Sequence, residues 1–177
     1  MHKICVNKLG ALGVLLTDAI EKAIGEHSPS AVSMLLTLHY NGPMTATALA
    51  AVGGIAQPTA ARVTDRLVRL GLIKRQHHTG RTAPLRLTKT GDQQANALQR
   101  ARLGAISPLI GILNETEQVH FERALDKILQ HATLSREFAR TTCRLCDHSV
   151  CDGRLCPIGT KATFLERQAK SNNERSR

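Results

Sequence analysis

The hydrophobic period changes abruptly within residues 45–88, and no other feature narrows the possible folds as much. Thr45 can cap a short helix through Ala51, and Gly53-Gly54 then turns the chain. Pro58 stands in the first turn of a second helix, where its missing N–H costs nothing. That helix is expected to turn Val63, Leu67 and Leu70 inward and Arg62, Arg66 and Arg69 outward, and Gly71 ends it. The period then shortens. Residues 72–76 and 84–88 read as strands around the polar, Gly-containing loop 77–82, which predicts a β-hairpin.

The flanks keep a helical period. Leu9, Leu12, Leu16, Ile20 and Ala23 form one stripe over residues 8–24, ended by Gly25 and the Ser28-Pro29-Ser30 cluster. A helix follows over residues 30–40, stopped by Asn41-Gly42-Pro43. Thr88 can cap a long helix from Lys89 to about Leu113, which Pro108 should kink or end early. Asn114 and Glu117 form a capping-box pattern opening a helix to about Leu134, with Val119, Leu125, Ile128 and Leu129 inward. The segment after Lys161 is polar and basic, with disorder expected beyond about Lys170. The predicted fold is mainly α: a winged helix–turn–helix lobe at about 44–90, long terminal helices at about 4–25 and 89–135, and one hairpin. A Cys-rich motif at 141–160 and a basic tail at 161–177 follow the domain of residues 1–140.

Charge is concentrated in the same window. The net charge is +10, and between Gln57 and Lys89 eight cationic side chains face the single carboxylate of Asp65, so seven of the ten net charges lie there. A local excess of this kind suits a polyanion. The helix opened by Gln57 can enter a major groove about 12 Å wide. Aromatics are limited to Tyr40, Phe121, Phe138 and Phe164, which disfavours a base-stacking platform for single strands.

Catalysis is not expected: the chain has no Gly-rich phosphate loop, no G-x-S-x-G and no H-E-x-x-H, and its carboxylates are scattered. No apolar run approaches the roughly 18 residues of a membrane span. The N-terminal segment lacks a small-residue cleavage site, so a cytoplasmic location is expected.

Several segments together resemble the MarR family of winged helix–turn–helix regulators: Leu49-Ala50, Gln57-Pro58-Thr59, Val63-Thr64-Asp65-Arg66-Leu67, Leu70 to Arg75, Arg81, and Leu87-Thr88-Lys89-Thr90-Gly91. The resemblance covers roughly residues 8–130. It implies a homodimer with intertwined terminal helices, each protomer offering a recognition helix and a wing to a pseudo-palindromic operator. It also implies a small-molecule effector, with His39, Tyr40 and Met44 near the corresponding cleft. The expected DNA contacts are Thr45, Gln57, Pro58, Thr59, Ala60, Arg62, Arg66, Arg69, Lys74 and the wing Arg81, with His77 and His78 adding phosphate contact at low pH. Ala56 stands where the family has a capping Ser, a loss of about 1 kcal/mol, and Thr79 stands where its wing has Asp. The expected function is sequence-specific regulation of transcription on double-stranded DNA, by a homodimeric repressor answering to a ligand, metal or redox signal. The alternatives are a non-specific architectural DNA-binding protein and a metal or redox module on this fold.

Cys143, Cys146, Cys151 and Cys156 are spaced C-x2-C-x4-C-x4-C and are four of the five cysteines. Four soft thiolates in a short loop can make a tetrahedral shell, so zinc is the expected occupant. An iron–sulfur cluster, redox-active thiols beside Arg144 and Arg154, and no cofactor are the alternatives. His148 could replace one ligand. Cys5 is expected to be a small buried hydrophobe.

Overall fold

The computed structural model describes residues 2–76 and 83–175. Its elements are α1 (His2–Ile24), α2 (Pro29–Asn41), α3 (Ala46–Gly53), α4 (Gln57–Arg69), β1 (Ile73–Arg75), β2 (Leu85–Leu87), α5 (Lys89–Gly111), α6 (Glu115–Ala132), α7 (Arg136–Thr142), a 3₁₀ turn at Gly153–Leu155, and α8 (Pro157–Arg175). The strands pair antiparallel, with Ile73 opposite Leu87, Lys74 opposite Arg86 and Arg75 opposite Leu85. Leu85 also exchanges backbone hydrogen bonds with Met44 (3.1 and 2.8 Å), which ties the hairpin to the start of the helix–turn–helix.

The core is built around α2. Ser28 caps it through Ala31 N–H, and every residue from Ala31 to Leu38 is buried, so the helix is enclosed on all sides. Leu49, Ala50, Ala60, Leu67, Ile73, Leu85, Ala95 and Leu98 close over it from α3, α4, the hairpin and α5. A second, much smaller core holds Ala139, Ile158 and Ala162 between α7 and α8, with Leu129, Cys143 and Cys156 against it. Arg136 fastens the same pair: Nε and Nη2 donate to Glu166 (3.1 and 2.9 Å), and Nη2 donates to Thr163 Oγ1 (2.6 Å).

Thr88 joins three segments. Its hydroxyl donates to the Gly71 carbonyl (2.6 Å) and accepts from Gly91 N–H (3.0 Å), capping α5. Its own N–H donates to the Leu72 carbonyl (3.0 Å). Gly91 is buried so tightly against this turn that a Cβ there would lie 1.8 Å from Leu72 O. The capping box at Asn114 and Glu117 forms as expected, with both reciprocal bonds present.

Several expectations change. Helix α5 runs through Pro108 to Gly111; the carbonyl deprived of its donor is that of the exposed Gly104, which water can satisfy. Helix α8 continues to Arg175 instead of fraying near Lys170, because Ile158 and Ala162 anchor its first turns and helix-forming Glu, Arg, Gln and Lys extend it. Val119, Leu125 and Ile128 of α6 are exposed rather than inward (44%, 37% and 50%), since no element among the described residues covers that face. Cys5 is exposed on α1 for the same reason. The short helix α7 was not anticipated, although Ser135 caps it through Phe138 N–H. No helix among the described residues is long and apolar enough to cross a membrane.

Candidate nucleic-acid interface and cysteine cluster

Helix α4 divides sharply. Ala60, Thr64 and Leu67 are buried, at steps of four and three, against the main core. Gln57, Pro58, Ala61, Arg62, Asp65, Arg66 and Arg69 lie on the exposed side. The opposite stripe therefore fixes the helix, and this one contributes nothing to packing. Thr59 is half-buried beside the helix start. Ala60 is fully buried, so its methyl belongs to the core and is withdrawn from the expected DNA contacts. Thr45 Oγ1 is occupied as the cap of α3, accepting from Ala48 N–H at 3.2 Å. Ala56, at the head of α4, provides no side-chain cap.

The hairpin extends the cationic surface. Lys74 and Arg86 are directly opposite in register and both exposed. Like charges so placed repel unless an anion lies between or above them. Arg75 Nη2 donates to Asp65 Oδ1 at 2.9 Å and so links β1 to the exposed face of α4. Both partners are largely exposed, so the pair orients more than it stabilises. Arg86 was absent from the contacts expected from sequence; counting the hairpin register back from the loop would have placed it beside Lys74. The wing residues Arg81, His77, His78 and Thr79 lie outside the described residues.

Comparison with known proteins agrees with this geometry. The sequence model of the MarR family matches residues 28–80. An uncharacterized HTH-type transcriptional regulator of Mycobacterium bovis is 31% identical over 104 residues, spanning 58% of this chain and 73% of the relative. The chain belongs to the MarR family. Its fold is likewise shared. Superposition on RV1404 from Mycobacterium tuberculosis gives a TM-score of 0.67 at 22% identity, covering 76% of this chain and 96% of that one. A MarR family protein from Bacillus stearothermophilus gives 0.66 at 23%, covering 76% and 99%. The M. tuberculosis MarR family protein RV2887, in complex with salicylic acid, gives 0.55 at 21%, covering 68% and 92%. As a MarR-family member the chain is a DNA-binding transcriptional regulator rather than an enzyme.

Beyond α4, this MarR-family chain has a cavity of about 580 Å³ between α3 and the segment from α7 to His148, lined by Met44, Ala48, Val52, Arg140, Arg144 and His148 among others. Of the three residues expected near an effector cleft, Met44 lines this cavity. His39 instead pairs with Asp92 (2.7 Å), and Tyr40 stacks on His148 with ring centroids 5.2 Å apart.

The four clustered cysteines are free thiols, half-buried, around one depression beside α8. Cys143 lies within hydrogen-bond reach of Cys146 and Cys156, and Cys151 within reach of Cys156. The S–H of Cys143 holds Cys146 down to about 6 against the opposing effect of burial, helped by the Arg102 and His148 charges. The same bond, with burial, pushes Cys143 far up, and burial raises Cys151 to about 11. Gly159 N–H donates to Cys156 Sγ at 3.1 Å in the first turn of α8. Among the described residues no group of three or more His, Cys, Asp or Glu side chains stands so that it could hold a metal ion as it is. His148 is engaged by Tyr40 and by the Cys143 carbonyl (3.3 Å), which turns it away from a ligand's role.

Proposed function

We propose that this regulator reads its DNA sequence-specifically as a homodimer, seating α4 of each protomer in a major groove of a pseudo-palindromic operator. The observation that carries this reading is the exposed stripe of α4, whose side chains have no role in the core. Gln57 and Thr59 at the helix start are suited to base edges, and Arg62, Arg66 and Arg69 to phosphates. Lys74 and Arg86 on the hairpin add a site for a phosphate that would relieve their mutual repulsion. Arg81 would add a minor-groove contact, as the family resemblance implies. A dimer on a promoter excludes other proteins from it, so repression is the expected outcome.

The homodimer is supported by apolar surface that a single chain leaves uncovered. Ile4, Val6, Leu9, Val14 and Leu15 on α1, and Val119, Leu125 and Ile128 on α6, are between 37% and 64% exposed. A soluble monomer rarely carries so much, and a two-fold dimer matches a two-fold site. Ile128→Glu should shift the protein to monomers in light scattering and weaken operator binding at least about tenfold, since a charge would be buried in an apolar contact. A dimer of unchanged stability would remove α6 from the interface.

A small-molecule effector has a place to bind. The cavity between α3 and α7 falls within the range of roughly 300–1,000 Å³ common for ligand sites. Its Arg140 and Arg144 favour an acid, and the RV2887 relative has been solved with salicylic acid.

Fluorescence anisotropy with genomic fragments, followed by competition with random duplex, tests the central reading. One fragment should resist competition by about a thousandfold or more. Equal displacement by any duplex would establish the architectural alternative instead.

A further inference from the structure

We propose that Cys143, Cys146, Cys151 and Cys156 bind one Zn²⁺ through four thiolates, and that this ion staples the C-terminal segment to the DNA-reading lobe. The proposal concerns a different part of the molecule from α4, and either could fail without the other.

The ligands are chemically uniform and share one depression. All four sulfurs line one depression, and three pairs of them are within hydrogen-bond reach. Binding replaces those S–H···S contacts with four Zn–S bonds of about 2.3 Å, and the thiol protons pass to solvent. As they stand no three of these side chains could hold an ion, so binding requires the loop to draw its sulfurs inward around it. An iron–sulfur cluster would force the sulfurs apart around a larger core, and the C-x2-C-x2-C run of ferredoxins is missing.

The surroundings suit the charge. Zn²⁺ with four thiolates carries a net charge of minus two. Arg102 Nε and Nη1 are buried with no hydrogen-bond acceptor among the described residues, and this guanidinium acts electrostatically on Cys146. A metal-bound thiolate at Cys146 would place anionic charge beside these two unpartnered nitrogens. Arg136, Arg140, Arg154 and Arg167 line the same depression. The Gly159 N–H to Cys156 Sγ bond, at the positive end of α8, is the kind of outer contact that holds a metal-bound thiolate.

Packing supplies the need for a staple. The second core buries only Ala139, Ile158 and Ala162, too little to hold α7, the thiol loop and α8 by apolar contact alone. The loop also reaches the main core. Leu145 packs against it, and Gln99 Nε2 donates to the Leu145 carbonyl at 3.3 Å. Cys143 and Cys156 meanwhile sit against the second core. An ion holding these residues in one shell locks the two cores together.

The test uses the full chain purified anaerobically without chelator. Elemental analysis should find about one zinc per chain, with no iron and no acid-labile sulfide. Cobalt replacement should give intense sulfur-to-cobalt charge-transfer absorption and tetrahedral ligand-field bands. Cys151→Ser and Cys156→Ser should lose the metal, and Cys5→Ser should keep it. Should the serine variants fail to fold, the wild-type cobalt spectrum decides. Removing the ion should speed tryptic cleavage after Arg144 and Arg154 by at least about tenfold. A brown protein containing iron and sulfide, a metal-free protein with a disulfide among the four, or full zinc retention in Cys151→Ser would each overturn the proposal. Metal loss that left cleavage at Arg144 and Arg154 unchanged would overturn the stapling role.

Discussion

Gly91→Ala is expected to lower the thermal midpoint by about 6–12 °C in scanning calorimetry, from a destabilisation of about 3 kcal/mol or more. The added Cβ would lie 1.8 Å from the Leu72 oxygen and 2.7 Å from its carbonyl carbon, so backbone must move. What it would displace is the turn where Thr88 collects the Gly71 and Leu72 carbonyls. No flexible side chain is there to give way. The substitution also improves helix propensity, so an unchanged or raised midpoint would show that α5 and the turn after α4 are not in the contact described.

Neutralising two of the exposed cations should act on binding and leave the fold alone. With Arg62→Ala and Arg66→Ala together, operator affinity should fall by at least about a hundredfold, two charge-assisted bonds being lost at roughly 1.5–3 kcal/mol each. The log–log salt dependence should flatten by about two. Stability should stay within about 0.5 kcal/mol of the parent, because both side chains are exposed and unpaired with core groups. Full affinity in the double variant would move the DNA surface away from α4.

Much of the DNA-reading lobe was legible in the sequence because its signals are local. Thr45, Thr88 and Asn114 cap the helices they were expected to cap, and the strand periods around the Gly-containing loop gave the hairpin. The exposed arginines of α4 followed from the step of three and four. Ala60 misled because a small side chain at the head of a recognition helix suits either face; only packing against Leu49 and Leu67 in the core decides between them. The stripe of α1 and the inward face assigned to α6 were apolar as expected, but periodicity cannot say whether a face is covered by its own chain or by another. The convergence of the thiols was suggested by spacing. The buried Arg102 beside them, 41 residues or more away in sequence, was not, because that relation exists only once α5 packs against the loop.

The Thr88 junction has a mechanical consequence. The turn that ends α4, the hairpin and the base of α5 meet at the Thr88 hydroxyl, and the Asp65–Arg75 pair links α4 to the hairpin. These parts must swing as a single jaw on a handle of 23 residues, about 35 Å long. A tilt of about 5° at the handle's far end would carry the jaw about 3 Å, enough to take its guanidiniums out of step with the phosphates. In the proposed homodimer a stimulus therefore need not distort the reading surface at all; it would have only to change the gap between the two jaws.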